Sequence, residues 1–98
     1  MPFRVILTPE AQDHLQQLEI YIAEASYPQT AANYIERLTD ALDTLASAPF
    51  QGTRREDLGV GLRTTGFERR ITILFAVTGS EVIVVGIFYA GRQLKPAK

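Results

Sequence analysis

Residues Arg70 to Tyr89 read RITILFAVTGSEVIVVGIFY. From Arg70 to Val77 the apolar residues alternate. Ile71, Ile73, Phe75 and Val77 fall on one side, Thr72, Leu74 and Ala76 on the other. A period of two is the signature of a β-strand. Thr78-Gly79-Ser80 supplies a hairpin turn. Val82 to Tyr89 is apolar on both faces and predicts a central strand covered on both sides. Gly86 interrupts that run with a position bare of side chain, where a helix, a bulge or another close neighbour is expected. The stretch therefore predicts an antiparallel hairpin that something must cover.

Working outward, Leu62–Phe67 is a weaker strand candidate beside this hairpin. Upstream the period changes. Ala11, Leu15, Leu18, Ile22 and Ala25 recur at helical spacing, with Asp13, Gln16, Gln17, Glu19 and Glu24 between them. Thr8-Pro9-Glu10 opens this helix: a hydroxyl cap, a proline suited to the first turn and an acid at the positive end of the helix dipole. A second stripe runs through Ala31, Ile35, Leu38, Leu42 and Leu45. Ser26 and Gln29 have capping-box spacing before it. Pro49 and Gly52 end it. The short connection predicts an antiparallel helical hairpin. Phe3–Leu7 reads as a first strand. The predicted fold is α+β in the order β-αα-βββ, a helical hairpin packed on a mostly antiparallel sheet, with residues 1–98 as one domain.

Composition narrows the chemistry. The 98 residues are 46% apolar and 21% charged, in the range of a folded domain rather than a disordered one. The absence of cysteine excludes disulfides, a thiolate nucleophile and cysteine-ligated zinc, and a single histidine, His14, argues against a histidine-ligated metal. No metal or cofactor is expected. No apolar run approaches ~18 residues, so no membrane partner is expected. The amino terminus lacks the apolar core of a secretory signal, and the expected location is cytoplasmic. The net charge of −1 conceals a division. Residues 1–47 hold two arginines and seven acids; residues 48–98 hold eight basic residues and four acids. Such a dipolar chain can steer a partner without being indiscriminately adhesive.

Five of the eight arginines lie between Gly52 and Arg70: Arg54, Arg55, Arg63, Arg69 and Arg70. Guanidinium is planar, permanently charged and matched to carboxylate or phosphate, but it moves protons poorly near neutral pH. The local acids Glu56, Asp57 and Glu68 are too few to neutralise all five, so the cluster is expected to be a binding surface. Glu56 and Asp57 are expected to be ion-paired to their arginine neighbours rather than to share a proton. His14, off the apolar stripe, is expected to be a solvated surface residue. The glycines at 52, 59 and 61 follow no strand and open no helix, which excludes a phosphate loop, and no serine-centred elbow is present. No catalytic residue is expected.

Several segments in this order resemble the ParE/RelE superfamily of small bacterial toxins from type II toxin–antitoxin modules. They are Leu7-Thr8-Pro9-Glu10-Ala11, Tyr21-Ile22-Ala23, Ala32-Asn33-Tyr34-Ile35, Ala41-Leu42, and Pro49 through Arg54. Asp57 through Arg63, Arg70 through Phe75, and Tyr89-Ala90-Gly91-Arg92 complete the set. The Pro-x-x-Gly-x-Arg and Asp-Leu-x-x-Gly-Leu-Arg segments favour the ParE branch. That branch implies a toxin that inhibits DNA gyrase and blocks replication, neutralised by a ParD-like antitoxin. The RelE branch implies ribosome-dependent mRNA cleavage, with direct nucleic-acid contact. Arg70 and Arg92 match arginines of both branches, and with Tyr89 they are the residues a nuclease would use. Tyr89 stands where many relatives carry histidine, Phe75 where many carry tyrosine, and no lysine precedes Lys95. These departures favour gyrase over the ribosome. The resemblance makes Arg54, Arg55, Arg63, Arg69, Arg70 and Arg92 the candidate contacts to target or antitoxin. A third alternative is a degenerate, non-toxic binding module.

Overall fold

A computed structural model describes residues 3–89 of the chain. Strand β1 (Arg4–Leu7) leads into helices α1 (Pro9–Ala25) and α2 (Pro28–Asp43). Strands β2 (Thr53–Arg54), β3 (Leu62–Phe67), β4 (Ile71–Thr78) and β5 (Glu81–Phe88) follow. They form one sheet in the order β1-β5-β4-β3-β2. Only β1 runs parallel to its neighbour, β5; every other pairing is antiparallel. The α+β class and the helical hairpin are as predicted from the two periods.

The start of α1 follows its sequence. Thr8 is the cap and its hydroxyl accepts from the Ala11 N–H at 3.1 Å. The start of α2 does not. Ser26 ends α1, Tyr27 takes the cap position, and no side chain caps α2 there. Gln29 reaches Asn33 instead, one turn along its own helix. Pro28 still suits the first turn, with its fixed φ and no N–H to satisfy, as Pro9 does in α1. At the other end, α2 stops at Asp43 and Leu45 sits in a 3-10 turn, Thr44–Ala46, tightly enough wound to keep its side chain in the core.

The core is assembled from the two stripes and one sheet face. Leu18, Leu38, Leu42 and Leu45 pack on Ile71, Ile73, Phe75, Val82, Val84 and Ile87. Cross-strand register explains the sheet's share. Val77 pairs with Val82, Phe75 with Val84, and Ile73 with Ile87. The step from Val84 to Ile87 is odd, and a strict period of two would place them on opposite faces. A β-bulge at this point leaves Val85 without a partner and restores the phase. The reading of residues 82–89 as a central strand holds in that β5 lies inside the sheet, between β1 and β4. The middle strand is β4, and the outward residues Ile83 and Val85 of β5 are half-buried.

His14 is also corrected. Strand β1 ends beside Val84, so the edge of β5 beyond it has no strand neighbour. His14 reaches over from α1, and its Nδ1 accepts the Ile87 N–H at 3.1 Å. The imidazole lies 5.1 Å from the Phe88 ring. A backbone donor left by the end of a strand has recruited the nearest side-chain acceptor. His14 is a half-buried structural residue.

Candidate functional site

The five arginines close in sequence form two sets. Arg54 and Arg63 are register partners across β2 and β3, near Arg55. Arg69 and Arg70 lie in the turn after β3. Arg63 lies near the start of β3 and Arg69 and Arg70 lie beyond its end, so the two sets stand at opposite ends of that strand.

The first set is occupied internally. Arg55 makes a bidentate pair with Asp57, Nη2 to Oδ2 at 2.7 Å, which holds the Asp57 carboxyl below the usual carboxylate range. Arg54 lies 3.7 Å from Glu56, which also accepts the Gly61 N–H at 3.1 Å. The expectation of ion-paired acids at 56 and 57 is met. Arg63 donates to the backbone carbonyls of Phe50 and Gln51 at 2.6 and 3.2 Å, and its guanidinium lies 5.9 Å from the Phe50 ring centroid. Its position is that of a strut between β3 and the segment before β2.

The second set lines a cleft of about 530 Å³ between the helical hairpin and the sheet. Leu18, Tyr21 and Ile22 contribute from α1, and Thr30 and Tyr34 from α2. Arg69, Arg70 and Ile71 come from the β3–β4 turn and the start of β4, and Tyr89 follows β5. Among the described residues neither Arg69 nor Arg70 is in an ion pair. Glu68, the acid beside them, is engaged elsewhere. It accepts a bidentate pair from Arg37 of α2, Nε to Oε2 at 3.0 Å and Nη2 to Oε1 at 3.2 Å. That hydrogen bond, aided by the charge of Arg37, holds the Glu68 carboxyl below its ordinary range.

The aromatic wall is as specific as the charge. The Tyr21 and Tyr89 rings lie 5.3 Å apart. Tyr34 meets Phe67 edge-on at 5.6 Å, and the Arg37 guanidinium lies 5.1 Å from its ring centroid. The Tyr34 hydroxyl oxygen is buried without a hydrogen-bond partner among the described residues. Burial first, then the charge of Glu68, raises its pKa against the opposing pull of Arg37 and Arg70. Tyrosine and arginine are the residue types that dominate protein–protein hot spots, because each offers a large rigid surface with a polar end.

Of the residues singled out in the sequence, Arg69, Arg70 and Tyr89 come together here; Arg54, Arg55 and Arg63 do not, and Arg92 lies outside the described residues. Sequence reasoning missed Arg37, Tyr34 and Tyr21 as parts of the site. Two signals were available. Arg37 is the only cation in α2. Tyr21 and Tyr34 stand six residues before and seven after Tyr27, where an antiparallel hairpin brings residues level with each other.

The Arg37–Glu68 pair has a pH signature. A carboxylate whose folded-state pKa is depressed contributes stability above its unfolded value and loses it as the pH falls through the folded one. The midpoint of thermal unfolding should therefore be higher for the native chain than for Glu68→Gln above about pH 5, with the gap closing below about pH 4. Calorimetry across pH 3–7 checks this; a gap that widens in acid would contradict the assignment.

The family model described as the ParE toxin of the type II toxin–antitoxin system parDE matches residues 5–94. The chain belongs to the ParE toxin family. Solved structures share the fold. A chromosomal ParDE toxin–antitoxin system from P. aeruginosa superposes with a TM-score of 0.79 at 21% identity, over 90% of this chain and 96% of that one. The RelBE2 toxin–antitoxin complex of Mycobacterium tuberculosis gives 0.61 at 18% identity, over 92% and 100%. A conserved hypothetical protein of Helicobacter pylori gives 0.56 at 10% identity, over 92% and 97%. A search of curated proteins finds no match to this sequence. The chain is thus a type II toxin of the ParE/RelE superfamily, and among its described residues no helix is long and apolar enough to cross a membrane.

Proposed function

We propose that this toxin inhibits DNA gyrase and so blocks replication, and that a ParD-like antitoxin neutralises it. Family membership over residues 5–94 carries the proposal. The cleft supports it: two arginines in no ion pair among the described residues, set in a tyrosine-rich apolar wall, suit the gripping of a protein partner. An antitoxin segment that covers this cleft should be acidic and amphipathic, matching charge to Arg69 and Arg70 and apolar side chains to the hairpin. Gyrase is a cytosolic target, so cytoplasmic residence follows from the same proposal.

The second reading is a ribosome-dependent endoribonuclease. It draws on the meeting of Arg70 and Tyr89 in one cleft.

Purified toxin is expected to inhibit gyrase supercoiling. Arg70→Ala should raise the half-inhibitory concentration about tenfold or more while leaving the thermal midpoint within a few degrees. Arg63→Ala should instead lower the midpoint, since it leaves the Phe50 and Gln51 carbonyls without their donor. Absence of inhibition at saturating toxin, together with message cut at defined codon positions after induction, would replace gyrase with the ribosome. Normal growth on expression without antitoxin would instead favour a non-toxic binding module.

A further inference from the structure

The turn that carries Arg69 and Arg70 is strained. The Arg70 N–H donates to the Phe67 carbonyl at 3.2 Å, closing a four-residue turn between β3 and β4. Its two central residues, Glu68 and Arg69, have φ of 50° and 62°. Left-handed backbone at both central positions is the type I′ pattern, which hairpins normally fill with Asn-Gly. Glu and Arg resist this conformation because their Cβ atoms crowd the backbone. Side chains held there need a compensating restraint.

The restraint is visible. Arg37 projects from α2 and grips both carboxylate oxygens of Glu68. A bidentate guanidinium–carboxylate pair fixes orientation as well as distance. Anchored in this way, Glu68 cannot swing back to neutralise Arg69 or Arg70. Arg69 and Arg70 both line the cleft and are in no ion pair among the described residues.

We infer that Arg37 and Glu68 are positioning residues: their pair clamps the β3–β4 turn in its left-handed form and thereby presents Arg69 and Arg70 to the partner. This rests on the cleft being the binding surface of the toxin. The clamp contributes preorganisation, so that the turn need not be ordered when the partner arrives.

The test uses the full chain, isotopically labelled, with two readouts: backbone amide NMR signals of residues 67–71 and inhibition of gyrase supercoiling. Arg37→Ala and Glu68→Ala should each move the 67–71 signals and raise the half-inhibitory concentration about tenfold. Glu68→Asn removes the pair but installs a residue that tolerates left-handed backbone. It should recover most of what Glu68→Ala loses, in both readouts. In the Glu68→Asn background, Arg37→Ala should have no further effect. A role for Arg37 in packing on Tyr34 alone would persist in that background, and its persistence would overturn the clamp. So would 67–71 signals that stay in place in Arg37→Ala. Displaced signals with unchanged inhibition would break the link to presentation. If the native chain does not inhibit gyrase at all, the proposed target falls, and the NMR series alone decides whether the clamp exists.

Discussion

Replacing Phe75 with alanine is expected to lower the free energy of unfolding by about 3–5 kcal/mol. Phe75 is fully buried and the largest side chain of the core. It sits on β4, the middle strand, paired with Val84 on one side and Arg63 on the other. Its loss removes apolar area and leaves a cavity that strands on both sides prevent from collapsing. A domain of this size has roughly 5–15 kcal/mol in total. The variant should therefore unfold at a markedly lower urea concentration with an unchanged slope. A loss under about 1 kcal/mol would show that the helices do not pack on this face.

Gly52→Ala is expected to cost about 3 kcal/mol, because two penalties coincide. The backbone at Gly52 has φ of 81°, which side chains resist. A Cβ there would also collide with the Thr64 carbonyl oxygen, a backbone atom of β3 that cannot rotate away. The displaced segment includes the Phe50 and Gln51 carbonyls that receive Arg63, so the strut should loosen as well. Gly61 provides the control. It has φ of 80°, but a methyl group there would meet nothing within 4 Å, so Gly61→Ala should cost only about 1–2 kcal/mol. Chemical denaturation of both variants measures the difference; equal losses would mean that the collision with Thr64 is relieved without consequence.

The fold was largely legible because its signals are local. A helical stripe and a strand alternation each declare themselves within a dozen residues. The parts that were not legible lack such a signal. Strand β2 is two residues long, too short to show a period, and exists because Thr53 and Arg54 find Thr64 and Arg63. The bulge at Val85 is invisible because apolar residues occupy both faces of β5, so either phase reads equally well. Gly86 did mark the place: the Phe88 ring occupies the space that a side chain at 86 would need. His14 was misread as solvated because its partner, the Ile87 N–H, is 73 residues away.

The candidate site divides along the same line. Sequence by itself determined the two helices with their apolar faces, the longer strands, the excess of arginine in residues 52–70 and membership of the toxin family, since composition, period and motif order do not depend on how the chain closes. Only the tertiary structure decided which arginines line the cleft. Charges pair through space: Arg63 is taken by carbonyls twelve and thirteen residues back, and Glu68 by an arginine thirty-one residues back. What remains outside such pairs among the described residues, Arg69 and Arg70 against three tyrosines, is a property of the closed chain, because an extended strand parts neighbours in sequence while a packed hairpin joins residues far apart.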